Sequence, residues 1–276
     1  MQSLSIYVGW IGTGFGFLTF YILAFANRQW ASLPQKLLSL LVFTFAWTML
    51  VTSSNASGLT VSFPHLFRTA LPIALLIGPF SFLYVRSLLL QRKRLSKISW
   101  LHFVPALLLF LDFLPFFLNS TANKRIAYND YLADSSLVIL SVTESVVSKN
   151  GAYWFIILSL LGYAIGQGLF IFRWVKNESS VKQKQISDRQ LTWLTALTAF
   201  LVVLSSGLTW SLSTDQQNIN VYAVFAAVYT LGFVLLSLIL YRSPELLYGP
   251  LATNDSIPKS APKKKEYVPI SEEEIT

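Results

Sequence analysis

Long apolar runs separated by short polar, mostly basic connections dominate this chain. A hydrocarbon core about 30 Å thick takes about 20 helical residues per crossing. Seven stretches meet or approach that length, at about residues 6–25, 37–51 (short unless it continues to 53), 66–90, 98–118, 152–175, 191–212 and 221–241. Backbone groups in lipid must be paired within a segment or around a closed barrel. The runs lack the alternation of barrel strands, so the pattern predicts helices. The expected fold is an all-α integral membrane domain of seven transmembrane helices over residues 1–242, followed by a flexible cytoplasmic tail or linker over 243–276.

Composition narrows the class. Of 276 residues, 54% are apolar and 12% charged. Soluble proteins carry roughly 25% charged residues, so an ordinary soluble enzyme is excluded, and so is disorder over most of the chain. The absence of cysteine excludes disulfides, thiolate nucleophiles and thiolate metal sites. Two histidines, His65 and His102, leave little for zinc chemistry. No metal or other cofactor is expected.

The basic residues set an orientation. Of the 21, four (Arg68, Lys124, Arg125 and Lys149) fall in connections of one parity. The other 17 fall in the opposite set: Arg28 and Lys36; Arg86, Arg92, Lys93, Arg94 and Lys97; Arg173, Lys176, Lys182, Lys184 and Arg189; Arg242, Lys259 and Lys263 to Lys265. Cytoplasmic loops carry the excess of Lys and Arg. The split therefore predicts an odd number of crossings, an external N-terminus and a cytoplasmic tail in a bacterial inner membrane. Trp30, Trp100, Trp154, Trp174, Trp193 and Trp210 lie near predicted helix ends, as an interfacial belt requires. Met1 to Ser5 has no basic residue and no clear cleavage site follows, so the first helix is expected to be retained.

Two connections differ from the rest. Residues 119–151 form the longest loop, with Leu132, Ile139, Leu140, Val146 and Val147 as one apolar face of a short helix; it reads either as a cap over a ligand site or as a structured loop. The tail carries Pro244, Pro250, Pro258, Pro262 and Pro269, and Lys263 to Lys265 could attract anionic lipid. Ser271 with Glu272, Glu273 and Glu274 has the form of a helix start. That form reads as the beginning of something that follows in the intact protein, or as a solvated acidic end.

Candidate chemistry is sparse. Asp112 is the one acid in the apolar stretches, and Arg68 at similar depth is its expected partner. The pair reads as a ligand- or proton-sensing device, or as a structural interhelical contact. Thr195, Thr198, Ser205 and Thr209 fall within about 80° of one another on the sixth helix. This hydroxyl face should turn toward the bundle, for packing or to line a polar cavity. Gly162 and Gly166 suggest close helix packing, as do Gly12, Gly14 and Gly16. Gly78 and Pro79 should kink the third helix. His102 reads as an interfacial hydrogen-bonder and His65, beside Pro64, as a loop residue. No zinc-protease, nucleophile-elbow or phosphate-loop motif occurs, so no enzyme activity is expected. A small-molecule or ion transporter using Asp112 is the alternative reading, although no matched pair of broken helices supports an inverted repeat.

Three segments carry a family resemblance. Ile77-Gly-Pro-Phe-Ser-Phe-Leu-Tyr-Val-Arg-Ser-Leu-Leu-Leu90, then a basic turn and Trp100-Leu-His-Phe-Val-Pro105, resemble the membrane half of bacterial AraC-type transcription regulators. So does Tyr241-Arg-Ser-Pro-Glu-Leu-Leu-Tyr-Gly249. Lys263-Lys-Lys-Glu-Tyr-Val-Pro-Ile-Ser-Glu-Glu-Glu274 resembles the linker into that family's cytoplasmic helix-turn-helix domain. The resemblance implies a membrane sensor that couples an extracytoplasmic or membrane signal to a DNA-binding output, which this sequence does not contain. The partners it implies are the lipid bilayer, a small-molecule ligand, optionally a second copy of the chain, and DNA only through the missing domain. The third helix is the expected moving element and the seventh the output.

Overall fold

The computed structural model describes residues 2–26, 32–133, 151–177, 186–213 and 219–242. The tail at 243–276, the apolar positions from Ile139 to Val147 in the long loop, and Trp30 lie outside the described residues. Among the described residues every regular element is a helix. The ten α-helices in chain order are α1 (Gln2–Tyr21), α2 (Leu33–Ala56), α3 (Ala70–Ala74), α4 (Ile77–Leu89), α5 (Val104–Asp112), α6 (Leu114–Leu118), α7 (Thr121–Ala133), α8 (Gly151–Asn177), α9 (Asp188–Ser213) and α10 (Ile219–Tyr241).

Five stretches are long and apolar enough to cross a membrane: Ile6–Phe25, Leu33–Ala56, Ala70–Leu89, Gly151–Asn177 and Asp188–Ser211. A shorter apolar stretch, Ala227–Tyr241, belongs to α10. The fourth expected crossing, 98–118, is broken rather than continuous. It comprises a 3-10 segment, Lys97–Phe103, followed by α5 and α6. Pro105 stands in the first turn of α5 and Pro115 in the first turn of α6. Proline lacks the amide proton a continuing helix would use, so the helix restarts at each one.

Packing closes six long helices into a circuit: α1 meets α2, α2 meets α4, α4 meets α8, α8 meets α9, α9 meets α10, and α10 returns to α1. The 3-10 segment, α3 and α5 lie against the α2–α4 side. Burial is 72% over the apolar window of Leu33–Ala56 but 33% over that of Gly151–Asn177. α2 is therefore the interior post and α8 presents an apolar flank, including Leu158, Ile165 and Phe172, outward.

Close backbone approach fixes the α1 contacts. A methyl added at Gly16 would lie 2.9 Å from Ala46 Cβ on α2. One at Gly12 would collide with Thr230 on α10 and reach Met49 Sδ at 3.1 Å. Gly14 faces open space, so two of the three α1 glycines pack as expected and one does not. Across the circuit, the Phe45 ring lies 5.5 Å from both Phe200 and Phe233, joining α2, α9 and α10. Gly232 leaves room for Phe200, whose Cε2 would stand 2.7 Å from an added Cβ.

Several buried hydroxyls are satisfied within their own helix. Thr13, Thr44, Ser87 and Ser205 each donate to a carbonyl three or four residues earlier, at 2.6–2.9 Å. Such bonds remove the cost of placing a donor in an apolar interior. Other pairs bridge helices, among them Thr19 with Tyr241 (2.8 Å), Thr48 with Tyr229 (2.9 Å) and Trp193 Nε1 donating to Tyr84 OH (3.0 Å). Trp193 and Trp174 are buried, so they hold helices together rather than joining an interfacial belt; Trp100, Trp154 and Trp210 are exposed.

Gly12→Val and Gly16→Val should each cost about 1–3 kcal/mol by overpacking. Their thermal unfolding in detergent should shift downward. Gly14→Val should unfold at the wild-type temperature.

Candidate functional site

A cavity of about 600 Å³ lies between α2, the chain around α3, α5 and the start of α7. Trp47 of α2 forms one wall, and Pro72, Ile73 and Leu76 form the next. Phe103, Ala106, Leu107 and Phe110 close the third side, while His65, Thr69, Phe117 and Lys124 gather the polar groups at one corner. The volume lies in the range of cavities that hold one small organic molecule, and the lining is the usual apolar body with few polar groups.

The polar corner is built by a second small core. Tyr128 of α7 is fully buried and donates its hydroxyl to Asn55 O at the end of α2 (2.7 Å). Its ring meets Phe67 edge-on at 5.3 Å, and Phe67 meets Phe116 at 6.0 Å. Arg125 Nε donates to Val61 O (3.1 Å). Ser120 accepts the Asn123 amide (3.2 Å) and caps α7. These contacts hold the first turns of α7 over the cavity and drive Lys124 inward.

Lys124 is 2% exposed. Its Nζ donates to Phe117 O (2.7 Å) and lies 3.0 Å from His65 Nδ1. An ammonium has donors only, so the facing ring nitrogen accepts. With Nδ1 accepting, the other ring nitrogen, Nε2, faces Thr121 Oγ1 at 3.3 Å. Trp47 Nε1 donates to Thr69 Oγ1 (3.1 Å), which passes its own proton to Leu66 O (2.8 Å). Lys124 also stands near the N-terminal, positive end of α7, where the helix dipole disfavours a cation. The corner is thus a concentration of donors facing an apolar chamber.

The residues expected to meet a ligand do not line this chamber. Arg68 is 6% exposed and adopts a left-handed backbone, φ 68°. That conformation costs a non-glycine residue about 1–2 kcal/mol. It turns the guanidinium over Phe67 (5.1 Å) and Phe116 (4.5 Å). Cation–π attraction of about 0.5–2 kcal/mol offsets this strain. Asp112 ends α5 half-buried, four residues before Phe116; it does not line the cavity.

The hydroxyl face expected on the sixth helix, which is α9, divides. Thr195 is exposed and bonds Leu191 O and Thr192 O within its own helix. Ser205 and Thr209 bond Val202 O and Ser205 O. Among the described residues, only Thr198 of the four bonds another helix: it accepts from Gln167 Nε2 at 2.6 Å. An arc of about 80° is wider than the line of contact with α8, so its edge falls outside. Gln167, fully buried, accepts from Ser81 Oγ (2.8 Å) through Oε1 and so ties α4, α8 and α9 in one relay. Gly162 and Gly166 do not pack against a helix: a methyl at either meets nothing within 4 Å. Both lie two residues from the buried Ala164, a turn of about 200°, and so face away from the bundle.

At the expected kink the break falls earlier. α3 ends at Ala74 and α4 begins at Ile77, leaving a turn at Leu75 and Leu76. Pro79 lacks the amide that would bond the Leu75 carbonyl, which is where the helix opens. Gly78 lies inside α4, and an added methyl there would collide with the Tyr163 ring. Tyr163 OH in turn lies 2.8 Å from His102 Nδ1, the interfacial contact expected of that histidine.

Sequence reasoning missed Lys124, His65 and Gln167. Lys124 sits in a polar, weakly amphipathic helix that reads as an outer loop, and the chain separation from His65 hides their meeting. Gln167 carried a usable signal: it is an amide within a long apolar run, which lipid does not tolerate unpartnered. Among the described residues no group of three His, Cys, Asp or Glu could hold a metal ion.

Tyr163→Phe should cost about 0.5–1.5 kcal/mol, the worth of one hydrogen bond. Gly78→Ala, which also displaces the ring, should cost about 1–3 kcal/mol. Chemical denaturation of the two variants should rank them in that order, with the double variant costing less than the sum. No family model, no curated protein and no solved structure matches this chain.

Proposed function

We propose that this chain is the sensory membrane domain of a signalling protein, with the chamber between α2, α3, α5 and α7 as its signal site. The chain would cross the membrane seven times, with the chamber toward the outer face and the tail in the cytoplasm. The broken 97–118 segment supplies the fourth crossing: seven 3-10 residues at about 2.0 Å each and fourteen α-helical ones at about 1.5 Å together match the hydrocarbon thickness. The resemblance to AraC-type regulators supports a transcriptional output through a DNA-binding module.

The observation that carries this reading is the double role of α2. Trp47 faces the chamber, and its neighbour Thr48 bonds Tyr229 OH on α10 at 2.9 Å. A ligand against Trp47 therefore touches the helix that leads into the tail through one shared post. The opposite wall, Leu76, belongs to the open turn above Pro79, where the helix is interrupted. A ligand shifts an equilibrium between helix arrangements only by binding one of them more tightly, and a chamber walled by the interruption meets that condition.

A helix-turn-helix reporter module fused after Thr276 should give membrane-dependent transcription control. Filling the chamber with Ala106→Trp, or cutting the link with Thr48→Val, should change that control while the protein remains in the membrane. A reporter indifferent to both variants would sink the sensory reading. Asp112→Asn should leave control unchanged; substrate flux in liposomes that disappears in Asp112→Asn would favour transport instead.

A further inference from the structure

We propose that the chamber binds a single-chain amphiphile with an anionic head, a fatty carboxylate, with the head on Lys124 and the chain along the α3–α5 walls. The inference rests on the chamber being the signal site and names the ligand class it takes.

Three observations lead to it. First, Lys124 is almost wholly buried, and among the described residues its Nζ has two partners, the Phe117 carbonyl and the His65 ring, neither of them an anion. An ammonium carries three protons, and a buried cation is ordinarily matched by an anion. A carboxylate at the chamber corner supplies both the third acceptor and the charge. Second, the remaining lining is apolar apart from Trp47 Nε1 and Thr69 Oγ1, which bond each other. The ligand therefore presents one polar end and an otherwise plain hydrocarbon body. Third, Leu107 and Phe110 line the chamber yet are 55% and 44% exposed on the bundle's flank. A chain can enter between them from the side. About 600 Å³ admits one such molecule and not both chains of a phospholipid.

The test uses the full chain in nanodiscs of zwitterionic lipid, with radiolabelled laurate as the probe. Wild-type protein should bind it saturably at one site per chain. Unlabelled dodecanol, equal in chain length but uncharged, should compete at least about tenfold less well, the loss expected for a charge-assisted hydrogen bond. Lys124→Met should lose affinity by a similar factor. Because Lys124 is buried and its loss could unfold α7, Leu107→Trp provides a second arm: it fills the chamber from an exposed position and should abolish binding with Lys124 intact. Equal competition by dodecanol, or wild-type affinity in Leu107→Trp, would overturn the proposal. So would complete displacement of laurate by phosphatidylglycerol added to the nanodiscs, which would identify a bilayer lipid as the occupant. Laurate that fails to bind while the fused reporter still depends on Ala106 and Thr48 defeats this inference alone. Laurate that binds while the reporter ignores both variants defeats the sensory reading alone.

Discussion

Helices in lipid gain nothing from hiding apolar side chains from one another, because the surrounding acyl chains are equally apolar. What holds this bundle together is close backbone approach and the pairing of most of the polar groups that enter it. Gly12, Gly16 and Gly232 bring α1, α2, α9 and α10 near enough for dispersion contacts. Ser81, Gln167 and Thr198 pass one chain of hydrogen bonds across three helices. Hydroxyls without such partners turn back onto their own helix. The same constraint explains Trp193, whose indole N–H reaches Tyr84 instead of an interface.

That rule gives the chamber its significance. Elsewhere in the described bundle, most buried polar side chains find a hydrogen-bond partner, the Ser54 hydroxyl being an exception. At Lys124 a buried donor near a helix N-terminus faces acceptors that are not anions and an apolar space. The surrounding structure stabilises this arrangement through Tyr128, Phe67 and the strained turn at Arg68. Strain and buried charge placed around a cavity are features that binding sites retain against their cost in stability.

The chamber also sits beside breaks in the helical ladder. Proline interrupts the helical ladder before Pro79, Pro105 and Pro115, and two of these interruptions flank the cavity walls. The far side of α2 is bonded and stacked onto α10, through Thr48 and Phe45. A rigid side and an interrupted side therefore meet at one helix.

Hydropathy by itself established the helical class and the approximate limits of five helices long and apolar enough to cross a membrane, because lipid forces each backbone group to pair within its own segment. Pro79 announced an interruption, and a glycine spacing announced the α1 contacts, though it could not say that Gly14 looks outward while Gly12 and Gly16 look in. On α8 it failed altogether: Gly162 and Gly166 have the spacing of a packing face, but rotation about the axis is set by Ala164 and Gln167, which the apolar pattern does not rank above them. Only the tertiary structure could bring Lys124 to His65, 59 positions apart. A loop helix carries no periodicity strong enough to reveal which side is buried, and the decision came from Tyr128 and Phe67 closing on the end of α2.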